Sequence, residues 1–182
     1  MRHTVYTTDM ALVVAAITLL AVLLMMAGEA VLSAVNERQL RARGAIEPAG
    51  DVFATMRWAY PGAFTLMAME GAWRGPAPDT ILVTGLIVFG VAKALKLWAV
   101  TALGPYWSYR VLVVPGEPLV RTGPYRFLSH PNYLSVVGEM LGVAATVWAP
   151  MSGTVAILGF GWLMTRRIRI EDRALGRRPS NT

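Results

Sequence analysis

The segment from 119 to 133, LVRTGPYRFLSHPNY, holds most of the side chains in this sequence that are able to bind a ligand. It contains His130, one of two histidines in the chain, and the further polar residues Arg121, Tyr125, Arg126, Asn132 and Tyr133. The segment lies between apolar runs of membrane length. Irregular backbone near a bilayer is tolerated only where it is buried in protein or lines a cavity. The segment therefore predicts a ligand-binding site.

Turn residues in and before this segment indicate how its backbone is arranged. Gly123 and Pro124 predict a turn, and Pro131 suits the first turn of a helix, where its missing N–H is not needed. The helix that follows would then begin at the site, and helix N-termini bind anionic groups. A carboxylate or phosphate of a ligand would fit there. The β-branched run from 111 to 114, bounded by turn residues, predicts a strand-like cover over the site.

Charged residues within or beside the apolar runs are the next candidates for chemistry. Glu139 falls two turns into an apolar run, where a carboxylate is costly and therefore either paired or functional. Arg167 and Glu171 are four residues apart in RRIRIEDRAL and share one helical face. Spacing alone also allows a solvated helix at that position. Lys93 and Lys96 share a face of another run, and the simpler interpretation is that they extend to the membrane interface.

Composition excludes several classes of function. Of the 182 residues, 55% are hydrophobic and only 15% are charged, whereas a soluble domain has about 25% charged residues. With no cysteine and two distant histidines, neither a disulfide, a thiolate nucleophile nor a metal centre is expected. The lysines and arginines that give the net charge of +6 lie beside apolar runs, which is typical of a membrane protein and not of a nucleic-acid-binding protein.

Five apolar runs predict an all-α, polytopic membrane bundle of about five transmembrane helices, since a span needs about 20 apolar residues. The last two runs, separated by Pro150, predict a tight helical hairpin, and a ligand-binding loop and a C-terminal helix complete the fold. The second run contains Arg57, Pro61 and Glu70, so it is the weakest span. The five runs are residues 10–35, 53–73, 80–103, 133–149 and 151–165.

The basic residues predict the orientation of the bundle. In this layout 15 of the 17 lysines and arginines fall on one side, and only Arg2 and Arg74 fall on the other. The positive-inside rule then places the N-terminus outside, and the C-terminus and the 104–132 segment in the cytoplasm. We predict one domain over 1–182, with N-terminal spans in 1–78, a catalytic core in 79–175 and a short tail in 176–182.

Two motifs resemble a known family. GPYRFLSHPNY resembles the GPYR-x-x-(R/K)HP-x-Y signature of the integral-membrane methyltransferases typified by isoprenylcysteine carboxyl methyltransferase. RIRIEDRAL is similar to the R-I-x-x-E-E-x-x-L motif that follows their last span. The resemblance covers roughly residues 80 to 175. It departs from the pattern at Ser129, where the family has Arg or Lys, and at Asp172, which replaces the second Glu.

The resemblance implies S-adenosylmethionine as methyl donor and a lipophilic acceptor dissolved in the membrane. Arg167 and Glu171 would close the site and handle the acceptor. A phenol or enol would need a base, for which Glu171, Glu139 and His130 are candidates; a carboxylate would need only orientation by Arg167. The resemblance places the cofactor against Gly123, Pro124, Tyr125, Arg126, His130, Pro131 and Tyr133.

The first half of the chain and the run from 104 to 133 most resemble small bacterial members of that family. Some of these are associated with O-methylation of phenolic lipids such as alkylpyrones and alkylresorcinols. The implied acceptor is thus a small lipophilic or prenyl-like molecule, or a membrane lipid, in a bacterial plasma membrane.

Two other functions remain open from the sequence. A membrane reductase of the sterol-reductase type would have a similar layout, but nothing here resembles the Gly-rich turn that binds a dinucleotide. A non-catalytic scaffold or transporter subunit is the third possibility.

Overall fold

The computed structural model describes the backbone of residues 2–176 and the side chains of residues 9–176. Within these residues the protein is all-helical, with two short 3-10 turns, Gly104–Tyr106 and Gly123–Arg126, before and after an extended loop. The predicted tail beyond 176 lies outside the described part. The five helices are α1 (Arg2–Ala42), α2 (Phe53–Arg74), α3 (Asp79–Leu103), α4 (Pro131–Thr146) and α5 (Pro150–Ala174).

The sequence predicted α2 and α3 closely but underestimated α1. The helix continues beyond residue 35 to Ala42, through the polar sequence NERQLRA. Asn36 explains part of this extension, because its side chain is buried and donates to the carbonyls of Gly104 at 3.2 Å and Trp107 at 2.8 Å. The C-terminal end of α1 is therefore held by the 104–130 loop. Pro61 does not interrupt α2, which runs continuously across it.

Two helices are long and apolar enough to cross a membrane by length and composition, Asp9–Ala42 and Asp79–Tyr106. Helix α4 has 16 residues and at 1.5 Å per residue is about 24 Å long, shorter than the roughly 30 Å hydrocarbon core. The number of spans therefore stays a prediction, as does the hairpin. Residues 147–149 connect α4 to α5.

Helices α3 and α4 approach closely because glycines lie at their contact. A Cβ on Gly142 would come within 2.6 Å of the Phe89 nitrogen, and one on Gly85 within 2.6 Å of the Thr146 nitrogen. Small residues let helix backbones approach where lipid offers no hydrophobic driving force. The close contact fixes the start of α4, and hence the candidate site, relative to α3.

The buried core lies among α1, α2, α4 and α5, and one end of the bundle is covered by two connections. Phe64, Met67 and Met140 are at most 1% exposed and form the centre of the core. The 43–52 connection meets the 104–130 loop through one antiparallel bridge, Ile46–Val113. The predicted strand-like cover is thus a single bridge, and no strand forms in residues 2–176.

Candidate active site

A cavity of about 620 Å³ lies beneath the 104–130 loop and extends between the helices. Ligand sites commonly have volumes of 300–1,000 Å³, so this one can hold a molecule of cofactor size. Tyr106, Trp107 and Tyr109 line it from the loop. Side chains from all five helices also line it, among them Met26, Ser33, Phe53, Tyr60, Lys96, Leu103, His130, Tyr133, Val136, Phe160, Arg167 and Glu171.

The cavity has a loop end and a deep end. Phe53, Leu103 and Arg167 line the loop end on three different helices. Each has a second lining residue seven positions away on the same helix and further from the loop: Tyr60, Lys96 and Phe160, respectively. Seven residues of helix span about 10 Å. The cavity therefore reaches roughly 10 Å from the loop into the bundle, and we call the region around Tyr60, Lys96 and Phe160 its deep end.

At the loop end, His130 joins the start of α4 to the end of α5. Its Nε2 lies 3.0 Å from Asp172 Oδ1, and Asp172 is 7% exposed. Because a carboxylate can only accept, this contact places a proton on Nε2 and fixes the ring. The Asp that replaces the family's second Glu is long enough to hold this histidine. Nδ1 lies 3.9 Å from Glu171 Oε2.

Tyr133 and Glu171 form a second link between the same two helices. The Tyr133 hydroxyl donates to Glu171 Oε2 at 2.8 Å, and both residues line the cavity. Tyr133 also lies beside the His130 ring, with centroids 5.5 Å apart. Two separate contacts therefore connect GPYRFLSHPNY to RIRIEDRAL, the two motifs of the sequence.

Arg167 is 7% exposed and lies inside the protein. Its guanidinium donates to the Tyr109 carbonyl and its Nε lies 3.8 Å from Asp51 Oδ1. Asp51 in turn accepts from the Val111 amide at 3.3 Å. These contacts exclude a solvated helix for this part of α5. Arg167 holds the loop over the cavity.

The predicted cofactor-binding residues divide into three groups. Tyr125, His130 and Tyr133 line the cavity. Pro124 and Pro131 are buried behind the lining, and Gly123 adopts a φ of 57° against Ala102 and Trp98, where a Cβ would be 2.7 Å from the Ala102 Cβ. Arg126 is exposed, lies over the Phe127 ring and does not line the cavity.

Glu139 lies behind the deep end and outside the cavity lining. It is fully buried and accepts from the Tyr60 hydroxyl at 2.6 Å. Lys93 and Lys96 lie 3.2 and 3.3 Å from its two oxygens and also pair with Glu29. The interpretation of these lysines as extended to the interface is therefore wrong, because Lys96 is 3% exposed and paired inside the bundle.

Ion pairs outside the helical bundle hold the loop against the 43–52 connection. Glu47 pairs with Arg41 and Arg110, each at 2.6 Å. Partial burial would raise the pKa of Glu47, but the hydrogen bonds from the two arginines outweigh it and lower the pKa below its usual value. Hydrogen bonding with Tyr106, followed by that with Arg43, lowers the pKa of Glu117. Both carboxylates are therefore ionised at neutral pH.

Several residues that line or close the cavity were not predicted from the sequence. Tyr60 comes from the second helix, Asp51 from the 43–52 connection and Tyr109 from the 104–130 loop, all far from the two motifs. Burial, followed by the Glu29 carboxylate, raises the pKa of Tyr109 well above its usual value, so this residue remains a hydroxyl donor. A signal for Tyr60 and Tyr109 was present in the sequence. Two glutamates and two lysines, Glu29, Glu139, Lys93 and Lys96, lie in apolar runs and therefore need polar partners.

Comparison with known proteins agrees with the motifs. The sequence model of the Isoprenylcysteine carboxyl methyltransferase (ICMT) family matches residues 83–177, just over half of the chain. An uncharacterized protein of Bacillus subtilis (strain 168), YpbQ, is 30% identical over 158 residues, covering 86% of this chain and 94% of that protein. An uncharacterized protein of Haemophilus influenzae is 21% identical over 141 residues, covering 77% and 82%. No solved structure matches. The matched region contains both motifs and both links at the loop end, so the chain belongs to the ICMT family, which indicates a membrane methyltransferase.

Proposed function

We propose that this protein transfers a methyl group from S-adenosylmethionine to an oxygen of a lipophilic acceptor dissolved in the membrane. The observation that carries the proposal is the cavity itself. Its loop end has ionised and aromatic groups from the family motifs, and its deep end lies between apolar helices. A water-soluble donor and a membrane-dissolved acceptor can therefore occupy the same cavity from opposite ends.

The residues at the loop end fit this donor. Aromatic faces attract ligand cations, and Tyr106, Trp107, Tyr109, Tyr125 and Tyr133 all line the cavity. Asn132 Oδ1 is buried without a hydrogen-bond partner and is suited to accept from an ammonium or amino group. The cavity thus offers aromatic surfaces for the sulfonium of the donor and a hydrogen-bond acceptor for its amine.

We assign the donor to the loop end. His130 and the first turn of α4 would hold its carboxylate, with Tyr125 and Tyr133 against the rest. Gly123, Pro124 and Pro131 would shape the backbone there, and Arg126 remains a predicted contact. When bound, the donor supplies an activated methyl group, so the protein needs no nucleophile of its own. Its contribution is to align the reacting atoms and to exclude water.

Arg167, Glu171 and Glu139 are the residues we assign to catalysis. Arg167 keeps the loop closed and presents a cation to an acidic acceptor, and Glu171 fixes Tyr133 beside His130. Glu139 lies behind the deep end, where it can take a proton through Tyr60. The acceptor would be a small lipophilic molecule, with phenolic lipids as one class.

The membrane arrangement is part of the proposal. A single domain would cross a bacterial plasma membrane with five helices, α4 and α5 forming a hairpin, the N-terminus outside, and the C-terminus in the cytoplasm. Basic residues that the structure places around the loop, such as Arg110 and Arg126, support a cytoplasmic loop end, since basic residues are enriched on that side.

Thermal unfolding of the detergent-purified protein with S-adenosylhomocysteine tests the donor. A ligand at 100 times its dissociation constant stabilises the folded state by about 2.7 kcal/mol. We expect a clear shift for the wild type, its loss in His130→Ala, and its retention in Arg169→Ala, an exposed change on α5. No shift in folded wild-type protein would contradict the proposal. A shift with NADPH instead would favour a reductase, and a shift with neither ligand a non-catalytic protein.

A further inference from the structure

Four ionisable side chains meet behind the deep end of the cavity and form what we call the charged quartet: Glu29, Lys93, Lys96 and Glu139. Lys93 Nζ lies 2.8 Å from Glu29 and 3.2 Å from Glu139, and Lys96 Nζ lies 2.6 Å from Glu29 and 3.3 Å from Glu139. The quartet joins α1, α3 and α4 and has no net charge. Ionisable residues within membrane helices are costly, and they commonly mark functional sites.

The two carboxylates of the quartet are not equivalent. Glu29 receives both of the short lysine contacts, at 2.8 and 2.6 Å. Glu139 receives the two longer ones, and its Oε1 is buried without a hydrogen bond. Its Oε2 accepts from the Tyr60 hydroxyl at 2.6 Å. Glu139 is thus the quartet's less tightly paired carboxylate, and its Oε2 is the oxygen in position to receive a proton from Tyr60.

Two groups connected to Glu139 reach the cavity. Tyr60 and Lys96 line the deep end, whereas Glu29, Lys93 and Glu139 do not. Lys96 Nζ also lies 5.6 Å from the centroid of the Tyr60 ring. A molecule in the deep end would therefore lie against Tyr60 and Lys96, whose hydroxyl and ammonium both contact the Glu139 carboxylate.

We propose that Tyr60 and Lys96 bind the acceptor through a weakly acidic hydroxyl and that Glu139 receives its proton. This inference rests on the proposed function. The acceptor O–H gives its proton to the Tyr60 oxygen while Tyr60 passes its own proton to Glu139. Lys96 stabilises the negative oxygen that results. That oxygen forms the new O–C bond, the S–C bond of the donor breaks with its electron pair going to sulfur, and the proton leaves Glu139 after turnover.

The arrangement distinguishes a weakly acidic hydroxyl from a carboxylic acid. A carboxylate is already ionised at neutral pH and needs only a cation, for which Arg167 at the loop end would suffice. A phenol or enol keeps its proton in an apolar cavity, because burial disfavours the charged form. The Tyr60 hydroxyl and the Glu139 carboxylate supply a path for that proton. The Lys96 ammonium supplies a partner for the resulting anion.

Titratable groups around Glu139 come from four parts of the fold. Glu29 belongs to α1, Tyr60 to α2, Lys93 and Lys96 to α3, and the Tyr109 hydroxyl donates to Glu29 at 3.2 Å. From α5, the apolar Phe160 packs on Tyr60 with centroids 5.1 Å apart. Any pH response of the acceptor site therefore belongs to this group as a whole.

Absorbance of a bound long-chain alkyl nitrophenol tests the inference, because the phenol and its anion absorb at different wavelengths. We expect the wild type to raise the ratio of anion to phenol at least about tenfold, one pKa unit, over the same probe in empty detergent micelles. Lys96→Met combined with Glu139→Gln removes one cation and one anion and leaves Glu29 paired with Lys93. This variant should bind the probe as the neutral phenol.

Further variants keep the test decisive. Tyr60→Phe removes a hydroxyl and no charge, so it tests the proton path even if the double variant does not fold, and it too should lower the anion fraction. Lys96→Arg should retain the anion. Leu97→Met, next to Lys96 but exposed on α3, is the matched control and should behave as the wild type. A long-chain fatty acid should compete weakly, whereas an alkyl phenol should compete well.

Each outcome separates this inference from the proposed function. If S-adenosylhomocysteine stabilises the wild type but the probe does not bind, or binds as the neutral phenol, the inference fails and methyl transfer stands. Equal anion fractions in the wild type and in Tyr60→Phe or the folded double variant also overturn it. An ionised probe without any S-adenosylhomocysteine shift would instead contradict the proposed methyl donor.

Discussion

The Tyr133 hydroxyl donates to Glu171 Oε2 at 2.8 Å and thereby joins the start of α4 to the last turns of α5. The adjacent pair, His130 and Asp172, repeats the connection at 3.0 Å. Residues that are about 40 positions apart in the sequence thus lie together, and three of them, His130, Tyr133 and Glu171, line the cavity. The position of the first turn of α4 therefore depends on the end of α5 as well as on its own segment.

We expect Glu171→Gln to reduce methyl transfer about 10²-fold, because misplacement by about 1 Å of groups that align the reactants costs that much. The variant keeps the side-chain shape but removes the charge that holds Tyr133 beside His130. The S-adenosylhomocysteine shift should persist, so kcat should fall more than donor affinity. Arg173→Gln, an exposed change two residues later on α5, should leave both quantities unchanged. Full activity of Glu171→Gln would remove this residue from the catalytic set.

The sequence predicted the elements better than the contacts between them. Local signals identified α2 and α3, the turn at Gly123 and the start of α4 at Pro131, because periodicity and proline geometry depend on neighbouring residues. The pairing of Lys96 with Glu29 and Glu139 depends on the packing of three helices, and apolar runs alone do not specify it. An isolated lysine is expected to extend to the membrane interface. In the structure the carboxylates of Glu29 and Glu139 compensate for the burial of the Lys96 ammonium.

Arg167 shows the same limit at the candidate site. Its spacing from Glu171 correctly predicted a shared side of α5, and both residues line the cavity. Its main partners are the Tyr109 carbonyl and Asp51, which come from two irregular connections. The conformation of such connections follows from tertiary packing, so the sequence could indicate residues that line the cavity but not the contacts that close it.

The close contact of α3 and α4 gives a prediction with an internal control. Gly85→Ala would place a Cβ 2.6 Å from both the nitrogen and Oγ1 of Thr146, whereas a Cβ on Gly90 meets nothing within 4 Å. We expect Gly85→Ala to destabilise the protein by about 1–3 kcal/mol, the usual cost of overpacking. Gly90→Ala, in the same helix, should be neutral or slightly stabilising because alanine is the better helix former. Thermal unfolding in detergent would measure both, and equal stability of the two variants would contradict the contact.

Glu70 of α2 caps the first turn of α5. Its carboxylate accepts from the Met151 amide at 3.1 Å and from both the amide and the hydroxyl of Ser152 at 2.6 Å. A lost N-terminal cap costs about 0.5–2 kcal/mol, so Glu70→Ala should lower stability by about that amount. Ser152→Ala keeps both amide bonds and should cost less. Hydrogen exchange at the Met151 and Ser152 amides should accelerate in Glu70→Ala, and unchanged protection there would argue against this cap.

The ion pairs of Glu47 predict how stability depends on pH. Hydrogen bonds from Arg41 and Arg110 lower the pKa of Glu47 below its usual value of 4.5 despite partial burial. A carboxyl with a lowered folded-state pKa stabilises the folded protein above that usual value, and the stabilisation is lost as pH falls through the lowered one. Exposed pairs of this kind contribute about 0.2–1 kcal/mol each.

The profile of stability against pH should therefore be flatter for Glu47→Gln than for the wild type below about pH 4.5, and the variant should be less stable near pH 7. Raising the salt concentration should shrink the difference between the two proteins at pH 7, because salt screens exposed charges. Parallel profiles at low salt would show that these pairs do not hold the loop.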